Sequence, residues 1–167
     1  RNTHNKLYNV HRADDKLNAL MTDKQAGKDV PDQAIIHARD AFAASRKELL
    51  KAVGEEIDVE IPNVKGVQLL KEDPLEVAAQ RIGNRYVYDP ELQASLHAEV
   101  ILRQAMYMPS VDLQMEALGR LMPRSLDPTT RAIVMSDPRG SGIVDRYVDW
   151  AANQVTGAYD NAVKTYD

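Results

Sequence analysis

Leu49-Leu50-Lys51-Ala52-Val53-Gly54-Glu55-Glu56-Ile57-Asp58-Val59-Glu60-Ile61 holds the chain's sharpest change of rhythm. Up to Val53, the apolar residues Ile35, Ala38, Phe42, Leu49 and Val53 follow helical spacing, and Pro31 opens that run. Gly54 is expected to stop it. From Glu56 the pattern is strict alternation, with Ile57, Val59 and Ile61 on one side and acids on the other. That is the period of a half-buried strand. Pro62-Asn63 then suits a turn into Val64 to Leu69, and Arg85-Tyr86-Val87-Tyr88 is a second short extended candidate. The expected fold is therefore mainly α: an irregular helical bundle interrupted by a small extended or β-hairpin insert.

Upstream, Leu7, Val10, Ala13, Leu17 and Leu20 recur at steps of three and four and predict a helix from Thr3 to about Ala26, ended by Gly27. With the helix after Pro31 it makes a helical hairpin at the N-terminus. Downstream, Asp-Pro pairs punctuate the chain at 73–74, 89–90, 127–128 and 137–138. Asp accepts a hydrogen bond from an unpaired backbone N–H at a helix start, and proline in the first turn has no N–H to lose. The first three pairs predict helices from Asp73 to about Ile82, Asp89 to about Met108 and Asp127 to about Met135. A further helix, from Ser110 to about Met122, is bracketed by Pro109 and Pro123. Its apolar residues lie on two faces, so it belongs in the centre of the bundle or under a partner, and Met115 and Met122 are candidate interface residues.

From about Gly142 onward a long C-terminal helix is expected. Val144, Val148, Ala151, Val155, Tyr159, Ala162 and Tyr166 form its seam, in which Val144, Val155 and Tyr166 repeat every eleven residues. Such a period keeps a seam straight or slightly right-handed, and its alanines admit a close neighbour. This seam is the leading candidate for contact with other protein chains. The organisation divides into residues 1–54, a basic N-terminal helical hairpin; 55–88, an acidic strand and loop insert with a short helix; and 89–167, a helical core ending in the long helix. They are expected to form one compact unit. Because the sequence opens at Arg1 and helical spacing still runs at Asp167, that unit is expected to be a segment of a longer polypeptide.

Composition narrows function mostly by exclusion. There is no cysteine, which removes disulfides, thiolate nucleophiles and cysteine-based zinc sites. The net charge of −4 conceals a division: +3 over Arg1 to Val53, −7 over Gly54 to Leu118, and zero from Gly119 onward. A basic first third beside an acidic middle can pair within the chain or between copies, and the plainer reading is ordinary solvated faces. No apolar run approaches the ~20 residues that span a bilayer, and the expected location is the cytoplasm or the interior of a large assembly.

Chemical candidates are weak. His4 and His11 lie too far apart along a helix to share an ion, and His97 near Glu99 and Arg103 lacks a metal-binding pattern. Glu55, Glu56, Asp58 and Glu60 lack the loop and glycine of a calcium site. No serine stands in a nucleophile elbow. Catalytic, cofactor and metal residues are accordingly none. Asp137-Pro138-Arg139-Gly140-Ser141-Gly142 is the best single loop: Arg139, Gly140, Ser141 and Gly142 before a helix are candidate anion contacts, and the plainer reading is a turn with Ser141 as the cap.

The expected function is that of a non-enzymatic structural or assembly module within a larger protein or complex. Its partners would be copies of itself or neighbouring subunits, and a bacteriophage virion, as an internal or ejected protein, is one setting. The alternative is an accessory domain that binds nucleic acid or an anion through the basic hairpin and the Arg139 to Gly142 loop. A third class is an enzyme domain whose site is assembled only in the complete protein.

Overall fold

A computed structural model describes residues 2–61, 74–107 and 127–166, without the side chains at 74, 105–107, 143, 144, 147, 150 and 158–166. The fold is mainly helical, with no strand among the described residues. Six helices are described: α1 (Asn2–Gln25), α2 (Asp32–Glu60), α3 (Pro74–Arg85), α4 (Pro90–Tyr107), α5 (Pro128–Ser136) and α6 (Pro138–Tyr166). The helix expected over Ser110 to Met122 and the strand expected over Val64 to Leu69 lie outside the described residues.

The helix ends follow from local chemistry. Gly27 takes φ +81°, a left-handed conformation that glycine adopts without a steric cost. This lets the N–H groups of Gly27 and Lys28 reach back to the carbonyls of Lys24 and Asp23, closing α1. Asp89 Oδ1 accepts the N–H groups of Glu91 and Leu92 at 3.0 and 3.1 Å, and Asp127 Oδ1 accepts those of Thr129 and Thr130 at the same distances. The Thr130 hydroxyl also donates to Asp127, and these bonds hold that carboxyl below the ordinary carboxylate range. Asp137 does the same for α6, where its carboxylate accepts the Arg139 N–H at 2.8 Å.

Two expectations are corrected here. Glu56 to Ile61 is not a strand: α2 runs through Gly54 to Glu60, and the Ile61 N–H still bonds the Ile57 carbonyl at 2.9 Å. Ile57 extends the buried stripe of Leu49, Leu50 and Val53, whereas Val59, which a strand would place beside Ile57, is 80% exposed. Neighbouring helices explain the alternating acids. Glu56 accepts from the Tyr86 hydroxyl at 2.7 Å, Asp58 from Arg103 at 2.5 Å, and Glu60 from Arg85. Gly54 is kept for proximity, since a Cβ there would lie 3.1 Å from Arg103 Nη2 and 3.2 Å from Glu99 Oε1. The second extended candidate also fails. Arg85 closes α3, and Val87 sits at φ +51°, where a β-branched side chain is strained.

One apolar core joins α1 to α5. Leu7 and Val10 of α1 meet Leu49, Leu50, Val53 and Ile57 of α2, Leu75, Ala79 and Ile82 of α3, and Ile133 and Val134 of α5. At its centre is α4, in which Ala94, Ser95, Leu96 and every residue from Ala98 to Arg103 are buried. A helix covered on nearly all sides is the axis of a bundle: α2, α3 and α5 pack against it, and α1 packs on α2. No described helix is long and apolar enough to cross a membrane.

Candidate functional site

The last helix departs from this packing. Its first turn is pressed against α5, where Gly140 is buried. Beyond it, Asp145, Arg146, Val148 and Asp149 are exposed, Ala151 is partly covered, and every residue from Ala152 to Gly157 is exposed. Six consecutive exposed residues cover more than one full turn, so α6 stands clear of the body around its whole circumference there. Val148 and Val155 are 58% and 72% exposed, on a molecule whose other β-branched aliphatics are mostly internal. Of the expected seam, Val148, Ala151 and Val155 therefore share a helix with two valines facing outward. Val144, Tyr159, Ala162 and Tyr166 are also on α6, but their side chains lie outside those described, as do Met115 and Met122 entirely.

The expected loop from Asp137 to Gly142 is instead the corner of α5 with α6 and the first turn of α6. Asp137, not Ser141, is the cap, and the Ser141 hydroxyl points back at the Pro138 carbonyl, 3.4 Å away. Arg139 makes four hydrogen bonds to two carboxylates. Its Nη1 and Nη2 donate to the two oxygens of Glu99 at 3.0 and 2.7 Å, while Nε and Nη2 donate to Asp137 at 3.0 and 3.2 Å. An anion arriving at Arg139 would meet two carboxylates already bonded to it. Ser141 and Gly142 are exposed.

Sequence reasoning missed the residue around which this corner is built. Glu99, with only 4% of its side chain exposed, also accepts from Arg103 Nε at 2.9 Å, one turn along α4. Arg103 in turn donates to Asp58 and, at 2.8 Å, to the Gly54 carbonyl of α2. A node of two guanidiniums and three carboxylates thus ties α2, α4 and α6 together. Burial works against the charge on Arg103, but the hydrogen bonds it donates to Asp58 and Glu99 outweigh it and raise its pKa. The Glu99 bonds do the same for Arg139. A signal existed: between Leu92 and Gln104, Glu99 and Arg103 are the only acid and the only Arg or Lys, four residues apart on a mostly apolar helix.

Asp137 gives the node a pH dependence. Burial pushes its carboxyl up, but the bonds and charge of Arg139, helped by the charge of Lys47, outweigh burial and hold it below the ordinary value. A carboxyl whose folded pKa is depressed stabilises fully above its unfolded pKa, and the contribution disappears as pH falls through the folded one. Asp137→Asn should therefore be less stable than the parent at about pH 6 and lose less on acidification to about pH 3. Urea midpoints at the two pH values measure it, and parallel losses would dismiss the role of Asp137.

Part of the basic surface of α1 and α2 is answered by acids. Lys6 faces Glu48 at 3.8 Å, Lys28 faces Asp23 at 3.3 Å, Lys24 pairs with Asp32, and Arg46 grips Glu91 at 2.5 and 3.1 Å. Arg46 also lies 4.3 Å over the Phe42 ring. An open cleft of about 990 Å³ lies between α3, α4 and α5, lined by Glu76, Gln80, Tyr88, His97 and Asp127 among others. Among the described residues, no three His, Asp or Glu side chains gather where an ion would sit. The arrangement places two exposed valines on α6 and a cluster of ion pairs at its root, which is chemistry suited to contact. No protein-family model, curated protein or solved structure matches this chain.

Proposed function

We propose that this chain is a non-catalytic assembly module of a larger protein or multi-subunit complex, and that α6 is its contact element. In this reading α1 and α2 form a helical hairpin that buttresses the body, and the long C-terminal helix is the arm offered to a copy of the chain or to a neighbouring subunit. One observation carries it: α6 is exposed on all sides from Ala152 to Gly157, with Val148 and Val155 outward. Helices without tertiary contacts are marginal in water, because most helical stability comes from packing of an apolar face. A partner that covers the two valines supplies that packing. The setting we propose is the cytoplasm or a bacteriophage virion, the latter on helical texture alone.

The test is the mass of the isolated chain by light scattering across a concentration and salt series, repeated with Val148→Glu plus Val155→Glu. The parent should form a defined oligomer and the variant a monomer of unchanged helicity. Both valines are exposed, so at dilutions where the parent is monomeric the variant's stability should stay within about 0.5 kcal/mol per site of the parent's. A parent that is monomeric throughout, together with a variant of clearly lower melting temperature, would show the valines to be internal packing and end the proposal.

A further inference from the structure

Beyond the corner with α5, the described side chains of α6 make little contact with the body. It packs on α5 and touches α4, and among its described side chains after Gly140 only Ala151 is partly covered. Yet the helix has 29 residues, about 43 Å at ~1.5 Å per residue. A swing of about 10° at its root would move its far end by roughly 7 Å. Among the described residues, the ion pairs that join α6 to the body lie within its first turn. The second residue of α6 is Arg139.

We propose that Arg139, clamped by Glu99 and Asp137, is an orientation latch that sets the angle at which α6 leaves the body, while the body folds independently of it. The fork of a guanidinium meeting both oxygens of one carboxylate fixes an angle as well as a distance, which a single hydrogen bond does not. Here both oxygens of Glu99 are used, at 3.0 and 2.7 Å. Glu99 is itself immobile, because it is buried on the central helix and held by Arg103. Asp137 grips the same guanidinium from the hinge side, so Arg139 bridges the residue where the chain turns and the axis of the bundle. Without Arg139, Glu99 keeps Arg103, and Arg103 keeps Asp58 and the Gly54 carbonyl. The latch stands whether α6 meets a second copy or a different subunit.

The absence of cysteine allows a direct test. Asp40→Cys on α2 and Gln154→Cys on α6, both at exposed positions, take spin labels, and labelled chains diluted in excess unlabelled chain report intramolecular distance by pulsed electron resonance. The parent should give one narrow distribution. Arg139→Ala should widen it at least twofold with helicity retained, and Arg139→Lys, which keeps the charge and loses the fork, should fall between. Parent-like distributions in both variants, or a parent as broad as Arg139→Ala, would overturn the latch. Failure of Arg139→Ala to fold would overturn the independence of the body, and Arg139→Lys then decides the latch by itself.

Discussion

Replacing Ile57 by alanine should cost about 3 kcal/mol, within the ~2–5 kcal/mol range of buried large aliphatic to alanine changes, whereas Val59→Ala should stay within about 0.5 kcal/mol. The contrast comes from helical geometry. Ile57 is completely buried, four residues beyond Val53 in the stripe that α2 presents to the core. Val59 lies two residues on, about 200° around the helix, and is 80% exposed. Removing the Ile57 side chain leaves a void beside Val53 and the other core members of α2, and the surrounding helices relax only partly into it. In a strand the two residues would share a face and respond alike. Urea unfolding with a common slope measures both changes, and the larger should lower the melting temperature by roughly 2–4 °C per kcal/mol in a chain of this size. Similar costs at the two positions would contradict the helix.

That pair also shows where the sequence misled. Ile57 and Ile61 are two strand periods apart, but they are also one helical turn apart, so alternation and helical stripe agree on both and disagree only on Val59. The exposure of Val59 depends on what lies opposite, which no local pattern reports. The alternating acids were equally ambiguous, because their partners Tyr86, Arg85 and Arg103 stand 25 to 45 residues away. Gly54 looked like a stop because isolated glycine disfavours helices, yet here it admits Arg103 and Glu99 against the backbone. Signals written into neighbouring residues were legible: the Asp caps before α4 and α5, the left-handed Gly27, and the spacing of α1. The seam of α6 was legible as a pattern, but its exposure was not. Glu99 and Arg103 were visible as lone charges on an apolar helix, while Arg139, 40 residues on, could be joined to them only by the fold.

Gly140→Ala should destabilise the protein by about 3 kcal/mol, at the upper end of the ~1–3 kcal/mol typical of overpacking. Helix propensity alone predicts the opposite sign, since alanine is favoured over glycine in a helix interior by about 1 kcal/mol. Position decides between them. A Cβ at Gly140 would lie 1.8 Å from the carbonyl oxygen of Val134 and 2.7 Å from its carbonyl carbon, both backbone atoms of a buried residue of α5. The same carbonyl accepts the Asp137 N–H at 3.3 Å, so pushing it aside also disturbs the end of α5. The remaining response is for α6 to lift away, and Arg139, the preceding residue, would be drawn off Glu99. Gly142 is the internal control. It is exposed, a Cβ there meets nothing within 4 Å, and Gly142→Ala should stabilise by up to about 1 kcal/mol. Opposite signs two residues apart on one helix would locate the strain at the α5–α6 corner, and a Gly140→Ala chain as stable as Gly142→Ala would show that the two helices do not approach so closely. Since the same corner sets the direction of α6, Gly140→Ala should also shift the mean distance between labels at positions 40 and 154, whereas loss of the Arg139 fork should mainly broaden it.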